Sequence, residues 1–277
     1  MKNISRISLF LLFLGCGLVV FVVFSHYAPV LDRKTDLMGR IVVATILLLA
    51  AWAARRSVRL QATWLIPLAF FTALIAISMD YYLGFSQWIL PALGVRAKSP
   101  AGLAIDKLES SLLGILVVLV LNRLAGQNAE SLYIRRGNLR LGLMVGLGAF
   151  AVMLASVIPI TELFFGGKDL SWARILPWMP WVGIMVLANA SNEELIFRGL
   201  LIGKMEPFLG EFATNLVTTI PFVALHAYTN YSYDSFIFLA LQLFPLSLAW
   251  CWLMQKSNSI WGSILFHAAM DIPIFIG

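Results

Sequence analysis

Residues 141–160 read LGLMVGLGAFAVMLASVIPI, a run without a single Asp, Glu, Lys or Arg. Crossing the hydrocarbon core of a bilayer as a helix takes about 20 mostly apolar residues. This run meets that requirement, and other segments meet it in turn: 7–24, 37–54, 62–79, 103–124, 180–200, 212–227, 236–254 and 260–276. The pattern predicts an all-α, polytopic transmembrane bundle of about nine spans, with eight the next count. Segment 37–54 is the weakest, because Arg40 lies inside one end and is expected to snorkel toward the interface. Segment 103–124 carries Asp106, Lys107 and Glu109 in its first half.

The whole-chain figures agree. Of 277 residues, 60% are hydrophobic and 12% charged, and the mean hydropathy is +0.87. A soluble domain is nearer about a quarter charged. Two cysteines exclude a disulfide scaffold. The net charge of +6 does not imply a nucleic-acid partner. Its cations sit in short clusters between apolar runs, such as Arg55, Arg56 and Arg59, or Arg135, Arg136 and Arg140. That is how helical membrane proteins mark cytoplasmic loops. The Lys and Arg bias favours an inside amino terminus. Lys2 and Arg6 before an apolar run suggest a signal peptide. The run is too long for one, no small-x-small site follows, and the apolar residues continue past Cys16, so it reads as a permanent first span. His26, beside Tyr27, reads as interfacial. The Pro- and Gly-bearing stretch 80–102 reads as a linker, separating three amino-terminal spans from the rest. Gly142 and Gly146 form a small-xxx-small pair suited to close helix contact.

Ionisable groups inside a spanning helix are costly, so each needs a reason. Three sets stand in the last hundred residues. The first is Ser191-Asn192-Glu193-Glu194-Leu195-Ile196-Phe197-Arg198. Glu194 and Arg198 are four apart and share a helical face, while Glu193 points elsewhere and is left available as a base. The second is Phe222-Val223-Ala224-Leu225-His226. The third is His267-Ala268-Ala269-Met270-Asp271, where the carboxylate can fix the imidazole tautomer. If the chain turns near Leu209 and Gly210, Glu193 and His226 lie 16 residues on either side of that turn. At 1.5 Å per residue both sit roughly 24 Å from it. His267 lies roughly 15 Å from the next turn on that side, near Ser257. These depths predict one polar cavity.

A carboxylate and a neutral imidazole aimed at one water can take its proton as it attacks a carbonyl. A second imidazole can stabilise the oxyanion. Glu193 and His226 are therefore assigned to water activation and His267 to the developing charge. Glu194 and Arg198 hold the geometry, and Asp271 orients His267. Glu193, His226 and His267 also make a carboxylate-and-two-histidine set of the kind that binds catalytic zinc, with Asp271 behind His267. No HExxH is present, and both chemistries stay open. Intramembrane Glu and His also suit a transporter or proton relay, although no inverted repeat is visible. In a catalytically silent scaffold or immunity protein the same residues would only staple helices.

Glu-Glu-x-x-x-Arg at 193–198, Phe-x-x-x-His at 222–226 and His-x-x-x-Asp at 267–271 resemble the CPBP family of intramembrane proteases. That family includes the CAAX prenyl endopeptidases and bacteriocin-processing proteins. Asn258-Ser259-Ile260-Trp261-Gly262-Ser263-Ile264 also resembles its last core helix. The resemblance runs from about residue 132 to 277. It implies a protease core over 126–277, behind an amino-terminal transmembrane extension over 1–125. It also implies the general base at Glu193, the water-activating histidine at His226, and oxyanion residues at His267 and position 271. That last position is often Asn in the family and is Asp271 here. An ionised Asp accepts hydrogen bonds but donates none. The expected substrate is a membrane-associated or lipidated protein or peptide, in a bacterial inner membrane.

Overall fold

The computed structural model describes residues 5–25, 31–228 and 237–277, and all its regular elements are helical. In chain order they are α1 (Arg6–Leu18), α2 (Arg33–Arg56), α3 (Leu65–Leu83), α4 (Ser86–Ala92), α5 (Pro100–Leu124), α6 (Leu139–Phe164), α7 (Trp172–Ile175), α8 (Met179–Glu193), α9 (Ile202–Leu209), α10 (Glu211–Leu225), α11 (Phe244–Ser257) and α12 (Trp261–Ile276). Wider π-helical turns extend α1 over Val19–Val23, extend α8 over Glu194–Gly199 and precede α11 over Phe238–Leu243. The fold is an all-α membrane bundle. Every segment expected to span is largely helical within the described residues, and five helices are long and apolar enough to cross a bilayer: Arg6–Val23, Arg33–Arg56, Gln61–Leu83, Leu139–Phe164 and Phe238–Ser257. Glu211–Leu225 and Trp261–Ile276 are apolar but shorter. His26, Tyr27 and Phe236 lie outside the described residues.

Local chemistry sets the ends. Asp32 Oδ1 accepts the backbone N–H groups of Lys34 and Thr35, both at 3.1 Å, and starts α2. Ser99 Oγ accepts Gly102 N–H at 3.1 Å, with Pro100 at the first helical position of α5. Gly210, at φ +82°, reverses the chain between α9 and α10. The expected turn at Leu209 and Gly210 is therefore present. The stretch 80–102 is only partly a linker: α3 runs to Leu83 and α4 sits inside it. Residues 258–260 belong to a turn, with Asn258 at φ +52°, so α12 begins at Trp261.

Arg40 does not snorkel. It is buried between α2 and α3, where Nε reaches Asp36 Oδ2 at 2.7 Å, Nη1 reaches Ser78 Oγ at 3.0 Å and Nη2 reaches Phe24 O at 2.5 Å. Tyr82 Oη donates to the same Asp36 oxygen at 2.6 Å. Three acceptors within the protein replace the headgroup water that snorkelling would have supplied.

Lipid tails are as apolar as leucine, so helix association in a membrane relies on close packing and polar contacts. α6 and α12 show this. A Cβ on Gly262 would lie 2.5 Å from Gly142 Cα, so the two backbones touch where only glycine fits. The amino-terminal helices are not peripheral. α1 packs on α10, with Gly17 against Pro221. Phe21 meets Phe197 at 4.2 Å between ring centroids, and α5 packs along α8. One buried cluster runs from Leu9 to Ile276.

Candidate active site

Glu193 closes α8, and Glu194 opens the π-helical turn that follows it. The sequence reading assumed a regular α-helix through Leu200. The wider turn, marked by Leu200 N–H bonding to Leu195 O at 2.8 Å, is of a kind common at functional sites. It keeps Glu194 and Arg198 paired nonetheless, with Arg198 Nη1 2.9 Å from Glu194 Oε1 and both side chains fully buried. Arg198 Nη2 donates to Ser247 Oγ at 2.6 Å, and the guanidinium lies over the rings of Phe222 and Trp250.

Glu194 gathers three donors. Besides Arg198 it accepts from Ser263 Oγ at 2.5 Å and from His267 Nδ1 at 2.8 Å. A carboxylate paired with arginine can only accept, so the His267 proton facing it sits on Nδ1. The expected pairing of Asp271 with His267 is present as an ion-pair approach only: Asp271 Oδ1 lies 3.6 Å from His267 Nε2, beyond hydrogen-bond distance, and it is Glu194 that hydrogen-bonds the imidazole. Asp271 Oδ2 instead accepts from Asn189 Nδ2 at 2.9 Å. The i, i+4 spacing of His267 and Asp271 brings them near, but Asn189 on the neighbouring helix holds the carboxylate.

Glu193 and His226 meet the same cavity from α8 and the end of α10. Glu193 Oε2 lies 3.5 Å from His267 Nε2 and has no hydrogen-bond partner among the described residues. His226 Nδ1 lies 2.7 Å from Phe222 O. A carbonyl oxygen cannot donate, so that nitrogen carries the proton and Nε2 carries the lone pair. A cavity of about 190 Å³ is lined by Glu193, His226, His267, Asp271 and Asn189, with Lys107 on its wall. All the singled-out groups thus gather at one place: four line the cavity, while Glu194 and Arg198 lie behind it. An apolar groove of about 370 Å³ between α6, α11 and α12 shares Asp271, Phe238 and Leu243 with the cavity.

Asn189 and Trp250 carried no assignment from the sequence, Lys107 stood there only as a charge in segment 103–124, and Ser263 only as part of the stretch 258–264. Asn189 precedes Glu193 by four residues and Ser263 precedes His267 by four, so helical spacing could have placed both on the right faces. Trp250 left no signal. Its indole stacks on the His267 ring at 3.9 Å between centroids and 11° between planes.

The zinc alternative requires three donors converging at about 2 Å from one point. Among the described residues no group of three or more His, Cys, Asp or Glu side chains has such an arrangement. The set Glu193, His226 and His267 as placed does not fit a metal ion.

Residues 175–273 match the family model Rce1-like, the type II CAAX prenyl endopeptidase Rce1-like family. This segment is an Rce1-like domain. It contains all six singled-out residues, from Glu193 to Asp271. No curated protein and no solved structure gives a significant match. The family is one of CAAX proteases, whose substrates are membrane-associated proteins, and the helices long enough to span a bilayer make this chain an integral membrane protein. The Rce1-like domain begins at the end of α7, so α8 to α12, which carry Glu193 through Asp271, all fall within it or reach just past its end.

Proposed function

We propose that this chain is an intramembrane endopeptidase that hydrolyses a peptide bond of a lipidated or membrane-associated protein, using a water activated by Glu193 and His226. The observation that carries the reading is the pairing of a buried, unpartnered Glu193 oxygen with a His226 whose Nδ1 is tied to Phe222 O. Glu193 and the His226 Nε2 lone pair then share the work of taking a proton from water. The water oxygen bonds to the scissile carbonyl carbon. His267, doubly protonated in this step, donates from Nε2 to the oxyanion. The C–N bond breaks as the proton held by Glu193 passes to the departing nitrogen. Glu194 and Arg198 hold His267 in place. Asp271 with Asn189 limits where the substrate carbonyl can sit. The apolar groove beside the cavity suits the lipid chain of the substrate. In this reading residues 126–277 are the catalytic core in a bacterial inner membrane, and residues 1–125 are an extension bracing α8 and α10.

The test compares peptides released from membrane fractions holding wild-type protein, Glu193→Ala or His226→Ala. Both variants should lose processing, by about 10²–10⁴-fold for the loss of general base catalysis. Processing by both variants at the wild-type rate would overturn the reading.

A further inference from the structure

A second cavity, of about 480 Å³, opens at the ends of the helices that form the catalytic one. Its wall carries Lys98, Lys168 and Arg174, and Phe275 lines both cavities. Three helices step from one to the other by four residues each. Leu103 leads to Lys107 on α5, Met185 to Asn189 on α8, and Phe275 to Asp271 on α12. Four residues of α-helix are about 6 Å. The second cavity is thus the outward continuation of the first, beginning about 12 Å from Glu193 along α8.

The two chambers carry opposite charge. Acidic side chains gather around the catalytic cavity, whereas Lys98, Lys168 and Arg174 line the outer one, together with Gly277 and with no Asp or Glu side chain in its lining. None of these three cations forms an ion pair among the described residues. Asp169, next to Lys168 in sequence, and Glu162 do not line the cavity, and Glu162 Oε1 accepts the N–H of Leu170 at 3.1 Å. Arg174 is held in position, with Nη1 donating to Lys168 O at 3.1 Å and the guanidinium over the Trp178 ring.

We infer that this basic vestibule binds the free carboxylate at the carboxyl terminus of the substrate, so that the site measures its cut from the chain end. The inference rests on the endopeptidase reading and deepens it. A CAAX sequence ends the substrate chain three residues beyond its lipidated cysteine. Three extended residues reach at most about 10–11 Å. A peptide whose scissile carbonyl lies at Glu193 therefore brings its terminal carboxylate to the mouth of the vestibule, within reach of long cationic side chains. Lys107 lies along the way. A membrane surface would draw on the same cations, but it cannot enter a concave site continuous with the catalytic cavity.

The test uses two fluorogenic peptides that end three residues beyond an S-farnesyl cysteine, one a free acid and one a terminal amide. Each is assayed with protein reconstituted in phosphatidylcholine vesicles, with and without phosphatidylglycerol. Wild-type protein should favour the acid by about tenfold or more in kcat/KM, chiefly through KM, in both vesicles. The K98S/K168S/R174S variant should bring that ratio close to one. If this variant fails to fold, R174Q alone should lower the ratio about threefold. Equal cleavage of acid and amide by wild type overturns the inference while leaving the endopeptidase reading intact. So does a variant that keeps the acid preference, or one whose defect appears only with phosphatidylglycerol, which would assign the cations to lipid headgroups. Wild-type protein that cleaves neither peptide faster than Glu193→Ala overturns both.

Discussion

Replacing Glu194 by Gln isolates the buried support of the site. The Glu194 carboxylate meets Arg198 Nη1 at 2.9 Å, His267 Nδ1 at 2.8 Å and Ser263 Oγ at 2.5 Å, and both members of the ion pair are fully buried. Gln keeps the shape and one acceptor oxygen but removes the charge. It leaves the buried Arg198 cation without a counter-charge, facing a neutral amide, Ser247 Oγ and two aromatic faces. Removing one partner of a buried pair typically costs about 3–5 kcal/mol, because the remaining charge stays desolvated. The expected loss in E194Q is therefore about 3–5 kcal/mol, measured by unfolding in mixed micelles of rising dodecyl sulfate fraction. Removing both charges with E194L/R198M should be less damaging than E194Q, by about 2 kcal/mol, since apolar residues of similar volume replace a buried pair at little net cost. Ser247, Ser263 and His267 then lose partners, which keeps the recovery partial. A loss below about 1 kcal/mol in E194Q, or a double variant no more stable than the single one, would refute the view that this pair is a desolvated unit on which the site is built.

At the α6–α12 contact, Gly262→Ala should destabilise the bundle by about 1–3 kcal/mol through overpacking against Gly142. Gly148→Ala on α6, where an added Cβ meets nothing within 4 Å, should gain about 0.5–1 kcal/mol from helix propensity. The same unfolding assay reads both, and equal effects at the two positions would count against the close contact. Asn189→Ala leaves Asp271 without its donor, at about 1–3 kcal/mol. If that carboxylate shapes the catalytic cavity, kcat should fall about tenfold to a hundredfold. A variant that raises KM alone would instead place Asn189 in substrate binding.

The sequence disclosed more of the site than of its supports. Glu193, Glu194, Arg198, His226, His267 and Asp271 were legible because each is an ionisable group, in or at the end of an apolar segment, where such groups are expensive. The common depth of Glu193 and His226 followed from counting residues to either side of Gly210, and that of His267 from counting from the turn near Ser257. The finer geometry was not legible. Spacing along α12 suggested that Asp271 would hold His267, but Glu194 reaches that ring from another helix, and no intrahelical rule foresees it. The π-helical turn over Glu194–Gly199 was hidden for the same reason, since its residues also suit a regular helix. Arg40 looked like a snorkelling residue because its partners Ser78 and Tyr82's neighbour Asp36 only become an enclosure once α2 and α3 pack together.

What the sequence by itself determined is the solvent and the class of fold: long apolar runs leave a backbone no way to satisfy its polar groups in lipid except as helices. It also determined which side chains are costly enough to require a partner or a role. The tertiary structure alone decided which nitrogen of each imidazole faces a carboxylate or a carbonyl, that Trp250 and Asn189 complete the surroundings, and that a basic chamber lies beyond the acidic one. Those facts depend on distances between helices far apart in the chain, and in a membrane these distances are set by packing of particular surfaces rather than by hydrophobicity, which lipid and protein share.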